Sequence, residues 1–171
     1  MSWRNVLNAI LFQAGWFAAV LGAAKGVPWL GPILLMPVLA VHLHMSTDRK
    51  GEMRLLLSAG VAGFIFDSVL AAFGAFTPRP WLLPEPLSPP WMIGLWLNFA
   101  ATLNYSLGWL RGRPLLAALF GAVGGPLAYY SGARLGATLD GPSLIGLIIL
   151  ALGWGVMTPF LVRLAGKVVG R

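Results

Sequence analysis

Ser143 to Leu164 reads S-L-I-G-L-I-I-L-A-L-G-W-G-V-M-T-P-F-L-V-R-L, and its first charged residue is Arg163. A helix crosses about 30 Å of hydrocarbon in roughly 20 residues at 1.5 Å per residue, so an uncharged apolar run of this length predicts a membrane span. Reading outward, five further segments have the same character. The predicted helices are 5–24, 27–45, 55–76, 90–110, 115–137 and 143–164, separated by Lys25-Gly26, by Ser46 to Arg54, by a proline-rich stretch, by Arg111 to Pro114 and by Leu139 to Pro142. The second is interrupted by Pro28, Pro32 and Pro37, which predicts either a kinked span or a re-entrant element.

Composition agrees with this reading. Of 171 residues, 58% are hydrophobic and 10% charged, against about 45–50% and about 25% in an ordinary soluble domain. The sequence contains 22 Gly and 13 Pro, a mixture that lipid-embedded helices tolerate. The net charge of +7 does not imply nucleic acid, because the basic residues sit in short loops between apolar runs, where membrane topology accounts for them. With no cysteine, thiolate metal sites, disulfides and cysteine nucleophiles are excluded. The start resembles a signal peptide, but Asn5, Asn8 and Gln13 suit a signal-peptide core poorly, so it is read as the first span.

Orientation follows from the basic residues. Arg4, Arg49, Lys50, Arg54, Arg111, Arg113, Arg163, Lys167 and Arg171 fall on one side, against Lys25, Arg79 and Arg134 on the other. Nine against three, over loops this short, predicts that the first group and both termini are cytoplasmic. The expected fold is therefore a single all-α polytopic bundle of about six transmembrane helices, in a bacterial inner membrane. The loop Thr77 to Pro90 has six prolines in fourteen residues, which predicts an extended, polyproline-like strap with Trp81, Leu82, Leu83 and Trp91 at headgroup level, either an interfacial anchor or a lid.

Polar groups in hydrocarbon are costly and face the bundle interior, where they mark candidate sites. Asp67 lies thirteen residues beyond Arg54, roughly 20 Å into the membrane, and needs a partner or a proton. Asn98, Tyr129 and Tyr130 fall at similar depth, with Arg134 one turn beyond Tyr130 on the same face. These five form the first candidate ligand-binding cluster. A second polar tier comprises Asn8, His42, Asn104 and Tyr105. His42 and His44 stand about 200° apart around a helix, so no metal is assigned to them, and no cofactor is expected. Gly124-Gly125-Pro126 predicts a break in the fifth helix, and Gly121-x-x-x-Gly125 and Gly132-x-x-x-Gly136 predict close helix packing, within the chain or across an oligomer seam. No catalytic residue is assigned, since hydrolase and phosphate-loop motifs are absent.

Three stretches carry a family resemblance: Asn8 to Leu21 (N-A-I-L-F-Q-A-G-W-F-A-A-V-L), Gly63 to Gly74 (G-F-I-F-D-S-V-L-A-A-F-G), and Leu103 to Trp109 (L-N-Y-S-L-G-W) followed by Gly121 to Ala137 (G-A-V-G-G-P-L-A-Y-Y-S-G-A-R-L-G-A). Together they resemble short bacterial inner-membrane proteins grouped as domain of unknown function 2878. The resemblance implies the membrane architecture and no established activity; the occurrence of its members beside fatty-acid-modifying genes implies work on lipids. Tyr105 stands where His is expected in that family, which weakens a catalytic role there.

Three functions remain open from sequence. The protein binds or modifies a membrane lipid or fatty acyl chain in an intramembrane pocket; it is a small transporter or the substrate-binding subunit of one; or it is a structural or accessory membrane protein. The expected partners are membrane lipids or a hydrophobic ligand, with oligomerisation inside the membrane open and nucleic acid excluded. A lipid site would open sideways between helices. A transport site would open to water under the Thr77–Pro90 loop.

Overall fold

The computed structural model describes residues 3–80 and 82–168, and within them the chain is all-α apart from one short ladder. Six helices run Trp3–Ala24 (α1), Leu30–Met45 (α2), Arg49–Ala72 (α3), Pro90–Ala100 (α4), Pro114–Arg134 (α5) and Leu144–Val168 (α6). Of these, α1, α3, α5 and α6 are long and apolar enough to cross a membrane, and their outer faces carry exposed Ile65, Val69, Leu152 and Val156. Four such helices with apolar exteriors make this a multi-pass membrane protein. Trp81 and Arg171 lie outside the described residues.

The second segment is one unbroken helix. Pro28 precedes it, and Pro32 occupies its first turn, where a backbone N–H has no helical acceptor in any case, so only Pro37 interrupts the ladder of hydrogen bonds. It is packed tightly on α1, with no room for a side chain on Gly31 against Ala19. The fifth helix is likewise continuous through Gly124-Gly125-Pro126 rather than broken there. It ends at Gly136, whose positive φ of 91° lets the Gly136 and Ala137 amides turn back onto the carbonyls of Ala133 and Gly132.

Two boundaries depart further from expectation. Helix α3 begins at Arg49, not residue 55, because Asp48 caps it by accepting the Gly51 N–H at 2.9 Å. Glu52 therefore lies on a helix and is buried, 1% exposed. The fourth segment is helical only to Ala100, after which residues 101–107 form turns and Gly108–Leu110 a short 3-10 turn. Thr102, Asn104 and Ser106 cluster here, and such side chains compete with helix by bonding nearby backbone. Thr102 bonds the Phe99 carbonyl at 2.6 Å. Asn8 of α1 donates to the Ala101 carbonyl at 3.0 Å and accepts from the Ser106 hydroxyl at 2.6 Å, satisfying backbone and side chain where the helix has ended. Asn104 and Tyr105 thus sit on this turn, not on α4.

The Thr77–Pro90 loop is folded onto the bundle instead of lying as an extended strap. Its first residues form β1 (Thr77–Pro78), antiparallel to β2 (Thr138–Asp140), with Thr77 opposite Asp140. Leu87 closes a turn onto the Pro84 carbonyl, Ser88 N–H reaches the Ser68 hydroxyl of α3 at 2.9 Å, and Trp91 is buried with its indole N–H on the Arg79 carbonyl. Leu82 is well exposed, while Leu83 is half-buried.

Around the bundle the order is α5, α6, α3, α4, α1, with α2 packed on α1 and α4. The α5–α6 pair is the most extensive, because Gly121 and Gly125 leave space for Thr158 and Trp154 of α6. The first glycine pair therefore serves packing within the chain. The circuit does not close: α1 and α5 hardly touch along their length. They meet at the ladder end, where Gly136 faces Ala24.

Candidate functional site

Asp67 projects from the last third of α3 and is 1% exposed. Each carboxylate oxygen accepts one hydrogen bond: Oδ2 from the Trp96 indole of α4 at 2.7 Å, and Oδ1 from the Tyr129 hydroxyl of α5. One carboxylate thereby ties three helices. A ring system encloses it. Trp96 stacks on Trp154 of α6 at 4.6 Å and 10°, Phe66 and Phe99 stand edge-on to both, and Phe76 stands edge-on to Tyr129 at 4.8 Å. Glycines allow this: Gly63 has no room for a side chain against the Trp96 ring, and Gly125 none against Trp154.

Beside this cluster, in the gap between α1 and α5, lies a cavity of about 870 Å³. Its walls are mostly apolar, with Phe12, Trp16 and Phe17 from α1 facing Gly124, Ala128 and Gly132 from α5. Nothing lies within 4 Å of where a side chain on Gly124 or Gly132 would begin. These small residues recur every four positions, so they fall on one helix face and leave a smooth floor. Asp67, Tyr129, Tyr130 and Arg134 all line this space. So do Trp154 and Thr158, whose buried indole N–H and hydroxyl have no hydrogen-bond partner among the described residues. Buried polar atoms left unpaired are uncommon. Among the described residues, none of the Thr77–Pro90 loop lines the space.

Of the five residues expected to cluster, the structure brings Asp67 and Tyr129 into direct contact. Tyr130 and Arg134 are exposed and line the same cavity without bonding Asp67. Asn98 does not join them. It is buried on another face of α4, donates to the Phe12 carbonyl at 2.9 Å, and borders a separate cavity of about 50 Å³ with Asn8, His42 and Tyr105. Trp96 and Trp154 complete the site and were not foreseen, since an indole reads as apolar until its N–H finds an acceptor.

The second tier gathers around Glu52, also unforeseen. Its Oε2 pairs with His42 Nε2 at 3.2 Å and its Oε1 accepts from Asn104 at 3.0 Å, while Arg111 donates to Asn104 Oδ1. The Tyr105 ring stands 5.1 Å from His42. His44 instead faces Arg49. This network joins α2, α3 and the turn after α4, and among the described residues no group of three His, Cys, Asp or Glu is placed to hold a metal ion.

A family model described as a protein of unknown function, DUF2878, matches residues 5–160. The chain belongs to that family. No curated protein and no solved structure matches it.

Proposed function

We propose that this family member binds a membrane lipid or fatty acyl chain in the cavity between α1 and α5. The observation that carries the reading is the position of the cavity: about 870 Å³ of mostly apolar space between two helices that hardly touch, so it faces the surrounding lipid sideways. Its volume falls within the range of about 300–1,000 Å³ typical of ligand pockets, and an apolar wall with a few convergent polar groups is the usual make-up of such sites. Asp67, held by Tyr129 and Trp96, supplies the polar point of the wall. A water-filled transport site beneath the Thr77–Pro90 loop gains no support, because the described part of that loop lines none of this space.

The same reading places the ladder end outside and the Glu52 end in the cytoplasm of a bacterial inner membrane, from the nine-to-three division of basic residues. The binding test is native mass spectrometry and lipid extraction on purified protein. An enriched lipid should accompany the native chain and be lost from Gly124→Leu/Ala128→Leu, which fills the floor of the cavity. Bulk phospholipid alone, unchanged by that variant, would refute the reading.

A further inference from the structure

Three basic residues far apart in sequence lie toward the ladder end of the bundle, and one of them, Arg134, lines the cavity. Arg134 is the last residue of α5. Two residues on, the Gly136 carbonyl accepts the Arg79 Nε–H at 2.6 Å and the Ala137 carbonyl accepts the Arg79 N–H at 3.1 Å. Gly136 also faces Ala24, and Lys25 follows directly. Among the described residues none of the three basic side chains has a salt bridge, and Arg134 has no hydrogen bond. Asp67 is not bonded to Arg134 among the described residues; its carboxylate accepts from Trp96 and Tyr129 instead. The same loops carry two carboxylates, Glu85 and Asp140, which leaves one positive charge in excess.

We infer that the occupant of the cavity is a single-chain carboxylic acid, its carboxylate seated on the Arg134 guanidinium and its chain running along α5 toward Phe120. The inference rests on the lipid-binding reading above and adds the headgroup and the direction. An unpaired guanidinium at the mouth of an apolar cavity presents a planar fork of donors matched to a carboxylate, and a single excess charge matches a monoanion. Its aliphatic stem tolerates the apolar rim while the head reaches the interface. From Phe120 to Arg134 the helix rises about 21 Å, longer than the roughly 15 Å of one leaflet's hydrocarbon. Gly124, Ala128 and Gly132 put nothing larger than a methyl group along that path.

The test uses the full chain in phosphatidylcholine nanodiscs, with brominated stearic acid and its methyl ester as probes. Both quench tryptophan, and Trp16, Trp96 and Trp154 line the cavity. The acid should quench saturably and bind about tenfold more tightly than the ester, the ratio expected of a charge-assisted hydrogen bond. Arg134→Gln should weaken acid binding about tenfold and ester binding far less, removing that preference, and Arg134→Lys should restore part of it. Acid and ester binding equally to the native chain would overturn the headgroup assignment and leave the lipid-binding reading standing. Octadecyl phosphate binding more tightly than the acid would overturn the choice of a carboxylate. Loss of all saturable quenching in the native chain would defeat both readings together.

Discussion

Trp96 donates its indole N–H to Asp67 at 2.7 Å, across 29 residues of sequence, and this bond fixes α4 against α3 at the wall of the cavity. Tyr129 fastens α5 to the same carboxylate. Removing the acceptor strands two buried donors, whereas removing one donor leaves the carboxylate with another. Asp67→Ala should therefore destabilise the protein by about 2–3 kcal/mol and Tyr129→Phe by about 1 kcal/mol. Reversible unfolding in mixed micelles measures both. Equal losses, or a neutral Asp67→Ala, would show that the carboxylate does not organise the bundle.

Neighbouring glycines on α5 should respond in opposite ways. A methyl on Gly125 runs into the Trp154 ring, while one on Gly124 meets open space. Gly125→Ala should cost about 1–3 kcal/mol through overpacking. Gly124→Ala should be neutral or stabilising by up to about 1 kcal/mol, since it relieves the entropic penalty of glycine in a helix. Thermal unfolding of the pair in one detergent decides it, and a loss at Gly124 as large as at Gly125 would place packed side chains where the cavity is described.

The membrane character, the long helices and the candidate carboxylate were legible because each is a local signal: apolar length gives the span, and a charge within such a run stands out. What escaped was pairing. Nothing near Trp96 in sequence announces that its N–H meets Asp67, and Glu52 falls inside the loop predicted over Ser46 to Arg54 until the Asp48 cap starts α3 at Arg49. Proline misled in the other direction. Pro32 sits where a helix tolerates it, and α5 continues through Pro126 because one missing N–H is a local loss in a helix otherwise packed on α6. The end of α4 at Ala100 was signalled by Thr102, Asn104 and Ser106, but their partner Asn8 lies on another helix.

That dependence on Asn8 can be measured. Asn8→Ala leaves the Ala101 carbonyl and the Ser106 hydroxyl without their partner inside the bundle, and should cost about 1–3 kcal/mol. Asn8→Asp keeps an acceptor for Ser106 but loses the donor to Ala101, so it should not restore stability. Hydrogen exchange over residues 101–107 should rise in both variants. Unchanged protection there would mean that the turn is held by other contacts.

The Glu52 network makes a separate demand. Glu52→Leu removes the acceptor shared by His42 and Asn104, leaving polar atoms of both without it in a buried place, with an expected cost of about 2–4 kcal/mol. Glu52→Gln can still accept from one partner and should cost less than half as much. Since the network lies at the opposite end of the bundle from the Arg134 mouth, neither variant should alter the preference of the cavity for stearic acid over its methyl ester. A changed preference in Glu52→Gln would couple the two ends and overturn their independence.

Orientation offers the last test, and the absence of cysteine from the sequence makes it clean. Leu139 is exposed in β2 at the ladder end, and Arg113 is exposed just before α5 at the other. If the nine-to-three division of basic residues sets the topology, Leu139→Cys should react with a membrane-impermeant maleimide in spheroplasts, and Arg113→Cys only after permeabilisation. The reverse pattern would turn the molecule over. It would also put the Arg134 mouth at the cytoplasmic leaflet, so that a fatty acid would reach the cavity from inside the cell.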